Sequence, residues 1–358
     1  MNLASDLGIL PGLLVAVATH IGEFITPPAN MDAPSLRSVS VPELTQSPAH
    51  QALSRCSSGA ARAMHAGWLS ELRMPDIPVE DDVGVQRRFD FYARHPVGSE
   101  SLNRLLVRCS EYQQTIQVSL ARHKLPTALL ALVFVESGCL PTFTGPNGGG
   151  LWQLEPDVAS FYHLKVIPGV VDERHSVQKS TDAAVRYLSD LYREFGDWEL
   201  VIAAYEMGPK ALNVRLNAAP GTEKVSFWNL VNAKVLSRDV ASYVASVETV
   251  ALILANLSHL KFDAVQTTPP QDAADLIVPA NTPLGVIARA AGMNLQELEA
   301  MNLDLKRGIT PDLENFTMQV SRRGIWQAQD RLNEHARDVS GTRVPSKVDW
   351  ARQRSHPR

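Results

Sequence analysis

Cysteine is nearly absent from this chain: Cys56, Cys109 and Cys139 are the only three in 358 residues. So few exclude a disulfide framework, although two could pair and leave one over. No CxxC or Cys/His spacing offers a metal site, and His163 and His175 stand isolated, as ordinary structural histidines do. Long apolar runs are missing too. In "LGILPGLLVAVATHIG" the apolar stretch is about 12 residues, too short to span a bilayer. Pro11 interrupts it, and its only early charged side chain is Asp6, whereas a secretory leader starts basic. The sequence therefore gives no clear export signal. Nor is there a surplus of positive charge. The formal net charge is −4, which argues against nucleic acid as a partner.

What is present is an ordinary soluble globular composition, 45% hydrophobic and 20% charged, in a chain long enough for about two domains. The charge is uneven. From Ser321 to Arg358 nine Lys/Arg face four Asp/Glu, a local +5 that leaves −9 for the rest. Such a tail reads as solvated, or as an adhesive segment for an acidic polymer or a membrane surface.

Residues 1–84 are rich in Pro, Ser and Ala and read as an N-terminal arm, largely linker or disordered. Within them "HQALSRCSSGAARAMHAGWLSEL" could form one helix. Helical spacing then becomes clear. Leu102, Leu105, Leu106, Cys109, Tyr112, Ile116 and Leu120 recur at steps of three and four, one face of a long helix. Pro126 suits a helix start, and "TALLALVFVES" is apolar nearly all round, so that helix should be buried in a bundle until Gly138 stops it. Val185, Leu188, Tyr192 and Phe195 mark another helix, ended by Gly196. Asp197 is a plausible N-cap for "WELVIAAYEMG", and a further helix is expected from about Asp239 to Leu257. The segment 85–260 should therefore be a helical domain. Residues 261–272 read as a linker. Residues 273–323 read strand, helix, helix, strand, too small for a large core and best taken as a binding module; residues 324–358 are the basic tail.

The chemistry concentrates in "VESGCLPTFTGPNGGGLWQLEP". Glu136 closes a buried helix at its C-terminal end, where the dipole disfavours an anion. Lost hydration raises the pKa of such a carboxyl, and a neutral acid near pH 7 can protonate a leaving oxygen. Gly145, Gly148, Gly149 and Gly150 would let backbone approach a bulky ligand. Trp152 offers an apolar plate and Gln153 an amide, a set that suits a sugar.

"VFVES", "GLWQ", "DERHSVQKSTDAAVRYL", "FGDWELVIAAYEMG" and "FWNL…YVASV", in that order, resemble the soluble lytic transglycosylase (SLT, goose-lysozyme-like) family, nearest its membrane-bound lytic murein transglycosylase D type. The resemblance covers about residues 87–257. "DLIVPANTPLGVIARAAGMNLQELEAMNLDLKRGITPD" is similar to a LysM peptidoglycan-binding module, with Ala280, Asn281, Thr282, Pro283 and Leu284 where a Gly-Asp-Thr-Leu turn is usual. The resemblance implies a mainly α fold: a lysozyme-like helical domain followed by a small βααβ LysM-like module.

It also implies cleavage of the bond between N-acetylmuramic acid and N-acetylglucosamine with 1,6-anhydro ring formation, and no cofactor. Glu136 would be the single acid/base. Ser137, Gly150, Leu151, Trp152, Gln153, Tyr205, Glu206 and Tyr243 would line the substrate site. Gln153 would contact the sugar amide, and Tyr243 would hydrogen-bond and position the acid. The partner would be peptidoglycan glycan strands in the periplasm or cell envelope, with peripheral attachment through the LysM-like module and the tail. Two carboxylates depart from the pattern: Glu206 stands for the usual Asn and Glu155 for the usual Met. The loop before Gln153 is one residue short, so Thr144 or Gly145 is nearest to the family's loop serine. The alternatives are a muramidase-type hydrolase using Glu155 or Glu206 as base, and a catalytically weak wall-binding protein.

Overall fold

A computed structural model describes residues 67–219, 226–262, 272–314 and 316–340. The apolar N-terminal stretch, Cys56, most of the possible helix at 50–72 and the centre of the expected linker lie outside these residues. Among the described residues no helix is long and apolar enough to cross a membrane.

The spacing of apolar residues produces the helices it implies. Asp82 accepts a hydrogen bond from Gly84 N–H at 2.6 Å and caps α1 (Val83–Arg94). The long amphipathic face becomes α2 (Pro96–Arg122), which buries Leu102, Leu105, Leu106, Cys109, Ile116 and Leu120. Pro126 precedes a single 3-10 turn (Thr127–Leu129), and α3 (Leu130–Ser137) follows, all buried except Glu136. Gly138 ends α3 at φ 57°, a left-handed conformation that costs glycine nothing.

Next come α4 (Pro156–Phe161) and a short antiparallel pair, β1 (Val166–Ile167) and β2 (Val171–Asp172), then α5 (Val177–Phe195). Asp197 caps α6 (Trp198–Met207) by accepting from Leu200 N–H at 3.0 Å. Helices α7 (Pro209–Ala218), α8 (Phe227–Asn232) and α9 (Arg238–Ala255) complete the bundle. The last of these is the central strut: it buries twelve residues from Val240 to Ile253 and packs against α1, α3 and α6. Cys109 of α2 and Cys139, just past α3, form a disulfide with Cα atoms 5.2 Å apart. A bond closing such a loop commonly contributes about 2–4 kcal/mol.

Beyond the bundle, β3 (Ala273–Val278), α10 (Leu284–Ala291), α11 (Leu295–Met301) and β4 (Phe316–Ser321) follow the expected strand–helix–helix–strand order, with β3 and β4 paired antiparallel. They enclose a second core around Leu276, Ile287, Leu298, Phe316 and Met318.

Two expectations need correction. The arm does not extend to residue 84: Leu69, Ile77 and Val79 are buried in the bundle core, and Asn256 is hydrogen-bonded to both main-chain groups of Arg73. The tail does not begin at 324. Residues Ile325–Ser340 form α12, which buries Ala328 and Leu332 in the second core. The reason is an apolar stripe spaced by four inside a strongly charged sequence, which the net charge conceals. The second unit also meets the bundle directly. Val171 of β2 is fully buried in the second core, and its strand bridges to Leu305.

Candidate active site

Glu136 is fixed by everything around it. The rest of α3 is buried, so the helix cannot rotate, and the one partly exposed side chain faces a cleft of about 120 Å³. The cleft is lined by Phe143, Gly145–Gly148, Gln153, Glu155, Tyr205 and Glu206, together with Tyr243. Tyr243, from α9, donates its hydroxyl to Glu136 Oε1. Burial first, and the neighbouring Glu206 charge second, push the Glu136 carboxyl up to about 8, against the hydrogen bond from Tyr243, which favours the ionised form. Glu136 is therefore a neutral acid at pH 7, able to give a proton. Burial, then the charge of Glu136, keep the hydroxyls of Tyr205 and Tyr243 far above their ordinary pKa, so both remain donors.

The glycine-rich loop is a scaffold tied to itself. Gly149 and Leu154 exchange backbone hydrogen bonds at 3.2 Å, and Gly150 N–H donates to Phe143 carbonyl at 2.9 Å. Gly150 has φ 78°, and a Cβ there would lie 1.7 Å from the Arg174 carbonyl oxygen. Only glycine fits this crossing.

Several sequence expectations change at this point. Trp152 is 0% exposed and donates its indole N–H to Thr181 Oγ1 at 3.0 Å. It is a core residue and no plate for a sugar. Leu151 is equally buried, and Gly150 is covered by Arg174. Ser137 is 2% exposed, and its hydroxyl bonds the Leu151 carbonyl at 2.8 Å, tying α3 to the loop. Gln153 does line the cleft, but its amide is spent on backbone. Its oxygen accepts from Gly145 N–H at 3.0 Å, and its nitrogen donates to the carbonyls of Gly150 (2.7 Å) and Phe143 (3.1 Å). That leaves it one acceptor lone pair and no donor for a sugar amide. Tyr205 likewise holds the Trp152 carbonyl at 2.6 Å.

Of the expected substrate-site residues, Gln153, Tyr205, Glu206 and Tyr243 line the cleft beside Glu136, together with Glu155, whereas Ser137, Gly150, Leu151 and Trp152 stand behind it. Phe143, Pro146 and Asn147 were not singled out by sequence, and their place within the glycine loop was the only available signal. No group of three or more His, Cys, Asp or Glu suited to a metal ion occurs among the described residues.

Residues 114–227 match the family model "Transglycosylase SLT domain". The chain is 28% identical over 240 residues to the membrane-bound lytic murein transglycosylase D of Escherichia coli K12, covering 66% of this chain and 50% of that protein. It is also 31% identical over 103 residues to a putative tributyltin chloride resistance protein of an Alteromonas species, covering 28% of this chain and 49% of that one. The chain spans about half the length of the curated relatives it matches.

Proposed function

We propose that this protein is a peptidoglycan lytic transglycosylase that cleaves the β-1,4 bond between N-acetylmuramic acid and N-acetylglucosamine, with Glu136 as its single acid and base. The observation that carries this reading is a carboxyl fixed at the end of a buried helix, hydrogen-bonded by Tyr243 and open to a cleft, where burial raises its pKa. Glu136 gives its proton to the glycosidic oxygen as the muramyl C1–O bond breaks, and the bonding pair leaves with that oxygen. The muramyl 6-hydroxyl oxygen then bonds to C1, and its proton passes to the Glu136 carboxylate. The acid is regenerated and the product carries a 1,6-anhydro ring. Because the nucleophile belongs to the substrate, no second carboxylate is required. Tyr243 hydrogen-bonds the carboxylate during the interval in which it is charged.

The similarity to a lytic murein transglycosylase supports the substrate class, and the Cys109–Cys139 bond suits an oxidising compartment such as the periplasm. The βααβ unit is a candidate anchor to the glycan, testable by co-pelleting with insoluble peptidoglycan.

Glu136→Gln keeps the shape and removes the proton. Turnover should fall by about 10² or more, the scale of general acid–base catalysis, while glycan binding persists; retention of most activity would overturn the assignment. Mass spectrometry of a murein digest identifies the reaction by its anhydro ends. A second reading rests on Glu206, which lines the same cleft close enough to act on Glu136. If Glu206 holds a water as general base, the digest yields reducing ends instead. A pure wall binder yields no products.

A further inference from the structure

The second unit meets the bundle through a joint more ordered than a tether needs. Asp172 N–H donates to the Asp304 carbonyl at 2.8 Å, and Lys306 N–H donates to the Val170 carbonyl at 3.0 Å. Leu305 thereby forms an antiparallel bridge to Val171 on the free side of the β1–β2 pair. Val171 enters the second core, and the ammonium of Lys179 lies 4.5 Å from the ring centre of Phe316. Beside this ladder the Lys179 ammonium joins Glu173 (2.8 Å) in the bundle to Asp304 (2.9 Å) in the second unit. Both carboxylates are buried. Removing one member of such a group leaves an uncompensated buried charge, so the joint holds as a unit or fails as one.

The same hairpin leads into the cleft loop. Asp172 grips Arg174 through two parallel hydrogen bonds, from Nε at 2.9 Å and from a terminal nitrogen at 2.8 Å. The other terminal nitrogen of Arg174 donates to the Leu154 carbonyl at 3.2 Å. The Arg174 carbonyl is the floor on which Gly150 rests, and its guanidinium is the surface against which Gly149 packs. His175 Nε2, 3.4 Å from Asp172, lies 3.5 Å from the Thr144 hydroxyl on the other limb of the loop. Arg174 does not line the cleft. It stands behind the loop that does.

We infer that the βααβ unit is a brace for the substrate loop: it fixes the β1–β2 hairpin, and through Asp172 makes Arg174 a positioning residue for Gly148–Glu155. Only what the loop holds rests on the proposed reaction. The mechanical link from Asp304 to Leu154 does not depend on it. The brace sets the second unit apart from an anchor that could be moved without effect on the cleft.

The test uses the full-length protein and two variants. Lys179→Met leaves Glu173 and Asp304 facing each other without their cation and opens the joint, while Lys179→Arg keeps the charge between them. Amide hydrogen exchange is followed at Gly149, Gly150 and Leu154, whose N–H groups are bonded within the loop, and in α9 as an internal standard. In Lys179→Met, exchange at the loop amides should quicken by about tenfold, since local opening sets the rate there. Exchange in α9 should stay as in the parent protein, and Lys179→Arg should restore the loop. On a short soluble muropeptide, Lys179→Met should raise KM severalfold with kcat little changed. Faster exchange confined to residues 166–172 and 304–306, with loop amides and KM unaltered, would overturn the brace. If the protein cleaves no murein at all, the exchange measurement still decides the link.

Discussion

Glu136 sits between two neighbours that act in opposite senses, and each can be removed alone. Glu206 raises its pKa by charge; Tyr243 lowers it by donating to the ionised form. Activity that needs protonated Glu136 declines as pH rises through about 8. Glu206→Gln removes the charge, so the alkaline limb of the pH–rate profile should move to lower pH. Tyr243→Phe removes the donor, so that limb should move to higher pH while turnover drops. Coincident profiles for the three proteins would mean that neither neighbour sets the acid.

A second pair of carboxyls lies away from the cleft. Glu248 of α9 is 0% exposed and accepts from Glu80 N–H at 3.1 Å; Glu199 of α6 accepts from Trp228 Nε1 at 3.1 Å. Burial raises both pKa values, with Asp197 and Glu80 adding to Glu199, and Glu199 adding to Glu248. An unfolded glutamate titrates near 4.3, roughly. Above that pH the unfolded chain releases protons that the folded chain keeps, so stability falls as pH rises. Denaturant titrations at about pH 5 and about pH 8.5 should show a smaller loss for Glu248→Gln than for the parent. An equal loss would mean that the pair does not hold a proton in the fold.

At the scale of elements, the cleft depends on one crossing. Gly150 and the turn Glu173–His175 touch with no room for a side chain. Gly150→Ala adds a methyl into a carbonyl and also requires φ 78° of an alanine. A loss of about 1–3 kcal/mol or more is expected. It should be accompanied by loss of activity out of proportion to the loss of fold, read by comparing helical circular dichroism with turnover. An active Gly150→Ala protein of normal stability would show that the loop can slide off Arg174. The local pattern told where most elements lie, because helix faces are written in steps of three and four. It mistook the residues before 85 and after 323. Leu69, Ile77 and Val79 lack any period, and are held because the core has room for them. The stripe of α12, Ala328 and Leu332, is diluted by the charged residues around it in the sequence.

Across the whole molecule, two cores meet at a hairpin of four paired residues, and that hairpin serves both. Val171 belongs by sequence to the bundle and by packing to the second unit. Lys179, an unremarkable cation in a helical repeat, spans the joint between Glu173 and Asp304. An anchor that only tethers would need neither the backbone ladder nor a buried ion triad, both of which cost desolvation.

The sequence by itself determined the long helices of the bundle, the glycine stops at Gly138 and Gly196, and the carboxyl at the end of an otherwise apolar segment. Each is a local consequence of side-chain period or of a backbone angle only glycine adopts freely. It also carried the motif order from which the catalytic role of Glu136 was expected. The tertiary structure alone decided which motif residues face the cleft. Trp152, Leu151 and Ser137 turned inward because the loop folds over α5 and satisfies its own backbone through Gln153 and Tyr205. It alone also paired Cys109 with Cys139, and brought Asp304 to Lys179 across 125 positions of sequence. Such contacts follow from the closing of distant surfaces, and no spacing along the chain records them.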